Sequence, residues 1–281
     1  MTKRAVTQAP FAFAVGDNLT LRGEVRAVDD GQRKPIVILC HGFKGFKDWG
    51  FFPYVGEELA RCGFVAITFN FSCNGVNRVD FDELDKFAIN TYSREQADLA
   101  ALFARVTSGR LPLASHFDPE RIALLGHSRG GGNSILFAAG CPGVRAVVTW
   151  NGIADVDIFD ETTKAALARD GIAYIRNART GQLMPIRSVV LDDIRQNRAR
   201  FDIPRKLAAL TIPVLLIQGD RDHPRLVEGF RTLQAAAPHH TFRVIEGADH
   251  TFGAVHPFAG PTPHLEEALR LTAGFLRRAL A

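Results

Sequence analysis

The stretch Gly126-His127-Ser128-Arg129-Gly130 constrains this chain more than any other. An apolar run, Ile122-Ala123-Leu124-Leu125, precedes it, and Gly130-Gly131-Gly132-Asn133-Ser134 follows. That order predicts a strand, a sharp turn at Ser128 and a helix, the arrangement called a nucleophile elbow. On such a turn the serine oxygen stands above the sheet edge. The flanking glycines let strand and helix pass where a β-carbon would collide. The alternative is a plain glycine-rich turn; the placement between strand and helix speaks for the elbow.

The rest of the chain supplies the sheet. Phe11–Val15 and Leu19–Val28 alternate apolar and polar residues around Gly16-Asp17-Asn18, which predicts an antiparallel hairpin. Pro35–Cys40, Phe64–Phe69, Val144–Trp150, Ile212–Ile217 and Thr241–Ile245 read as strands, the first two as runs buried on both faces. Helices are expected over Phe51–Cys62, Arg225–Ala237 and Leu265–Ala279, and after a capping box at Ser93-Arg94-Glu95-Gln96. Strand and helix alternate from about residue 35, which argues for a doubly wound, mostly parallel α/β sheet. Residues 151–204 break the rhythm, with helical stretches, many arginines and no clear buried strand. They read as a helical cap inserted over the sheet's C-terminal edge, where ligand crevices form. The alternative is a crossover helix plus a surface loop. The expected organisation is one domain over residues 1–281.

Composition excludes some roles. The 281 residues carry a formal net charge of only +4, with no compact basic block, which argues against a nucleic-acid partner. Near the N-terminus, which carries Lys3 and Arg4, the apolar stretch Phe11–Val15 is too short for a signal or membrane segment, so a cytoplasmic location is expected. Cys40, Cys62, Cys73 and Cys141 show no zinc spacing and read as free thiols.

A serine hydroxyl needs a base to act as a nucleophile, and in an elbow fold acid and base follow the serine in that order. Gly219-Asp220-Arg221-Asp222-His223 and Glu246–Phe252 both lie beyond the ends of predicted strands. Asp222, which stands further past its strand, is preferred as acid to Asp220, which suits a turn. His250 is preferred as base to His223 and His256, while His239 and His240 sit in a polar turn. An oxyanion site would take the N–H of Arg129 and that of Phe43 in His41-Gly42-Phe43-Lys44-Gly45. His41 and His127 read as packing residues.

Together, His41-Gly42-Phe43, Gly126–Gly130, Gly219-x-x-Asp222 and His250 resemble the α/β-hydrolase superfamily, from about residue 10 to the end. His41-Gly-Phe-Lys-Gly-Phe and Phe69-Asn-Phe-Ser are similar to its bacterial carboxylesterase branch, which includes cinnamoyl and feruloyl esterases, with dienelactone hydrolases as neighbours. Dienelactone hydrolases use a cysteine where this chain has Ser128. The resemblance implies a serine hydrolase acting without metal or cofactor on small-molecule esters, of small to medium acyl chain or aromatic. An amide or peptide hydrolase, or an acyltransferase, would share the residues, and a non-catalytic binding protein would not need them all. Phe46 and Trp49, in an aromatic run that also suits core packing, and Tyr174 from the insertion are candidate pocket residues, with Ile172 and Met184 beside Tyr174. The insertion's arginines, Arg169 to Arg205, suit a solvated face or recognition of an acidic leaving group. Monomer and homodimer both remain open.

Overall fold

The computed structural model describes residues 5–16 and 18–281. Lys3, Arg4 and Asp17, used in the readings of the N-terminus and the first turn, lie outside the described residues. The hairpin pairs β1 (Thr7–Gly16) with β2 (Leu19–Ala27), running from Thr7↔Ala27 to Ala14↔Thr20. Strand β2 runs antiparallel to β4 (Val65–Asn70). From there the sheet is parallel through β3 (Lys34–Cys40), β5 (Phe117–His127), β6 (Val144–Trp150), β9 (Val214–Gly219) and β10 (Thr241–Ile245). Its order is β1-β2-β4-β3-β5-β6-β9-β10.

Period-two alternation explains why both faces are covered. Ile36, Ile38 and Cys40 of β3 pack on one face with Leu99 and Leu102 of α3 (Tyr92–Thr107) and Ile135 of α4 (Arg129–Ala138). Val37 and Leu39 point the other way, onto Val55 and Leu59 of α1 (Phe52–Arg61) and Leu265 and Leu276 of α9 (Pro263–Ala279). The helix α8 (Pro224–Ala236) joins β9 to β10. The chain winds outward from β3 to β4, then returns past β3 to β5. This reversal leaves the loops after β3 and β5 adjacent at their carboxyl ends, where such sheets form a ligand crevice.

Two local expectations need correction. First, the helix α3 is capped by Thr91, whose side chain accepts from Arg94 N, not by Ser93. Ser93 instead gives its N–H, at 3.0 Å, and its hydroxyl to Asp193. Second, residues 151–204 are not purely helical. After the short α2 (Leu84–Phe87) and the core helices come α5 (Glu161–Asp170), the strands β7 (Ile172–Arg176) and β8 (Leu183–Arg187), α6 (Val189–Gln196) and α7 (Ile203–Ala209). β7 and β8 form an antiparallel pair with Tyr174↔Pro185 and Ile175↔Met184 in register. Buried Ala173, Met184 and Ile186 alternate with exposed Tyr174, Leu183 and Arg187, but the apolar character of Tyr174 and Leu183 and the proline at 185 hide that alternation in the sequence. No helix among the described residues is long and apolar enough to cross a membrane.

Candidate active site

The turn at Ser128 is as tight as its glycines require. Ser128 has φ 56° and ψ −120°, a conformation that side chains rarely adopt. A β-carbon on Gly126 would lie 2.1 Å from the Gly130 carbonyl oxygen, and one on Gly130 would lie 2.2 Å from that of Cys40. Strand β5, helix α4 and the end of β3 therefore meet at backbone distance. Ser128 N–H donates to the Trp150 carbonyl at 2.9 Å, which ties the turn to the neighbouring strand.

Asp222 and His250 arrive on the loops after β9 and β10. His250 Nε2 lies 3.1 Å from Ser128 Oγ, and His250 Nδ1 lies 3.0 Å from Asp222 Oδ2. The Asp222 carboxyl also receives Gln218 Nε2 at 2.9 Å and the His223 N–H at 2.6 Å. Burial acts to raise its pKa, but the bond and charge of His250, with the Gln218 and His223 donors, hold it below the ordinary carboxylate range. An ionised Asp222 can only accept, so His250 Nδ1 carries the proton and Nε2 is left to accept from the serine hydroxyl. Asp220 turns elsewhere and accepts the Gly247 N–H at 2.7 Å.

The His250 loop is held by Asn151, which the sequence did not single out, and by His127, which it read as a packing residue. Asn151, at the end of β6, has φ 49° and donates Nδ2 to the carbonyls of Asp249 at 3.2 Å and His250 at 2.9 Å. Its Oδ1 accepts the Gly219 N–H at 2.8 Å, so one amide joins both loops. His127 Nε2 donates to the His250 carbonyl at 2.8 Å. Burial, then the neighbouring His250, pushes the His127 pKa down to about 3, so it stays neutral. Burial likewise pushes His41 down to about 4; its Nδ1 lies 2.9 Å from the Gly42 carbonyl, and its Nε2 accepts from Phe71 N–H.

The loop after β3 comes close to the serine. A β-carbon on Gly42 would lie 2.9 Å from Ser128 Cβ. Phe43 follows it, and Arg129 opens α4, where the first N–H groups have no intrahelical partner. Both residues, with Ser128 and His250, line a cavity of about 1030 Å³. Ile153, Val156 and Ile158, with Ile194, Phe201 and Ile203, give it an apolar wall, and Leu226 adds the α8 face. Lys44, Asp155, Arg198 and Arg225 add charge to that lining.

The expected pocket residues do not line it. Phe46 is buried, edge-on to Phe81 and to His256 at 5.1 Å. Trp49 packs edge-on to Phe51 at 5.6 Å and parallel to His256. Tyr174 is 59% exposed on β7, and Met184 is fully buried. The aromatic run thus braces the loop carrying His256, whose Nδ1 accepts the Gly50 N–H at 2.9 Å. His223 lines the cavity but caps α8, accepting from Arg225 N. Of the insertion's arginines, Arg198 reaches the cavity, while Arg169 and Arg179 pair with Asp170 and Asp80.

The alpha/beta hydrolase family profile matches residues 37–260, from β3 to beyond His250. The chain belongs to the alpha/beta hydrolase family. It is 31% identical over 120 residues to the pimeloyl-[acyl-carrier protein] methyl ester esterase of Xanthomonas campestris pv. campestris. That match spans 43% of this chain and 45% of the relative, so less than half of the curated relative is covered. Two structural neighbours of the chain are of the kinds to which its motifs point. Est1E of Butyrivibrio proteoclasticus, with ferulic acid bound, superimposes at TM-score 0.72 and 17% identity, over 96% of this chain and 98% of that one. A dienelactone hydrolase from Anabaena variabilis gives TM-score 0.63 and 17% identity, over 98% and 99%. At such identities the likeness establishes the fold.

Proposed function

We propose that this protein is a serine carboxylesterase. The observation that carries the reading is the unbroken chain from Ser128 Oγ through His250 to Asp222, opening into a largely apolar cavity. In this reading His250 Nε2 takes the Ser128 proton as Oγ attacks the ester carbonyl. The oxyanion rests on the N–H groups of Phe43 and Arg129. His250 then protonates the leaving alcohol, and water activated by the same imidazole releases the acid from Ser128. Asp222 stays ionised and stabilises the imidazolium.

Two further features support an ester substrate. The relative named above is a methyl ester esterase, and Est1E holds ferulic acid. The cavity size suits a medium acyl chain or an aromatic acid. Residues 151–204 act as a cap in this reading, since Ile153 to Asp160 and Ile194 to Pro204 form much of the cavity wall. The test is hydrolysis of p-nitrophenyl esters of increasing chain length by wild type and by Ser128→Ala. Turnover with a short-to-medium optimum that disappears in the variant is expected. Equal turnover in Ser128→Ala would overturn the proposal.

A further inference from the structure

Beneath the serine turn lies a buried polar cluster that the chemistry above leaves unused. Arg129 is 1% exposed, although arginine is almost never buried without a partner. Its Nε donates to Glu95 Oε2 at 2.8 Å, and its Nη2 donates to the Asn90 carbonyl at 3.1 Å. The guanidinium carbon lies 3.9 Å from the centre of the Tyr92 ring. Glu95 is itself buried and accepts Asn90 Nδ2 at 2.8 Å and Asn133 Nδ2. Asn133 accepts Gln96 Nε2 at 3.0 Å, so α3 and α4 are joined under Ser128.

The same guanidinium stands 5.7 Å from the centre of the Phe43 ring. One side chain therefore belongs to one oxyanion donor residue and packs against the other. A buried ion pair is a weak source of net stability, because desolvation offsets its attraction. Arg129 Nη1 and the Tyr92 hydroxyl, moreover, have no protein partner among the described residues, which costs stability rather than adding it. Such a cluster is better explained by geometry than by folding energy.

We propose that Glu95 is a positioning residue for the oxyanion site. By clamping the Arg129 guanidinium it fixes the first turn of α4 and the facing Phe43 loop, and so aims both N–H groups. This inference rests on the esterase reading, so its test must separate the two. The probe is an alkyl fluorophosphonate. Ser128 Oγ attacks phosphorus, the P–F bond breaks, fluoride leaves, and His250 takes the hydroxyl proton. The phosphoryl oxygen occupies the oxyanion position, and no ester substrate has to be known.

Labelling rate, probe affinity and melting temperature are measured for wild type, Glu95→Gln and the double variant Glu95→Gln/Arg129→Met. The double variant removes both charges and so leaves no lone buried ion, should Glu95→Gln alone fail to fold. It also keeps the Arg129 N–H. In folded variants the maximal labelling rate should fall about 10- to 100-fold at unchanged probe affinity, since a misaimed donor costs transition-state binding. Lower melting temperature with wild-type labelling would assign Glu95 a structural role only and overturn the inference alone. A wild-type protein that is not labelled would overturn the esterase reading, and the inference with it.

Discussion

Ser128 depends on how closely its neighbours approach. A β-carbon on Gly42 would sit 2.9 Å from Ser128 Cβ and 3.1 Å from the His127 carbonyl oxygen, neither of which is a flexible side-chain end. Gly42→Ala should therefore displace the Phe43 N–H, lowering kcat about 100-fold, and the strain of that shift should lower the melting temperature as well. Steady-state kinetics beside a melting curve check this, and wild-type kcat would contradict it. The elbow was legible in the sequence because its glycines and serine are adjacent, so local spacing carries the geometry. Asp222 and His250 were legible because each follows a predicted strand. Glu95 and Asn151 were not. Glu95 meets Arg129 and Asn133 across 34 and 38 residues, and it reads locally as an ordinary acid in the first turn of a helix. Phe46 and Trp49 misled for a related reason, since sequence supplies aromatic content without direction.

Among the elements, the segment from β7 to α6 is fastened to the core at several points. Asp193 of α6 accepts the Ser93 N–H at 3.0 Å and its hydroxyl, the Arg187 N–H donates to the Ala88 carbonyl at 2.8 Å, and Arg179 pairs with Asp80. Asp193 also receives Asn197 Nδ2 at 3.1 Å. Asp193→Ala removes the acceptor for these groups and should cost about 1–3 kcal/mol. The loss should be local. Amide exchange should quicken across α6 while β5 stays protected, whereas uniform quickening would contradict the local fastening. The parallel core strands could be read from their apolar runs. The β7–β8 pair could not, because exposed Tyr174 and Leu183 put apolar residues on the outward face and Pro185 interrupts the run.

Across the whole molecule, buried titratable groups set how stability responds to acid. Burial holds His41 at about 4 and His127 at about 3, and His240 and His256 are also lowered. Below about pH 6.5 an unfolded histidine takes up a proton that these folded ones refuse, so acid favours unfolding. Asp98 acts the other way. Burial raises it to about 6 against the bonds from Ser72, so only between the ordinary aspartate value and about pH 6 is it protonated when folded and ionised when unfolded. Two fully buried histidines outweigh one aspartate. Stability should fall between about pH 6 and pH 4 by about 1.4 kcal/mol per pH unit or more, as one net proton requires. Urea denaturation at a series of pH values reads this, and a flat or opposite trend would contradict it. The central claim is that Ser128 forms an acyl intermediate. The most direct measurement is rapid-quench hydrolysis of p-nitrophenyl butyrate, with the acylated peptide located by mass spectrometry. A p-nitrophenol burst stoichiometric with enzyme and a butyryl group on Ser128 are predicted. Turnover without that adduct, or with the acyl group on another residue, would contradict the account.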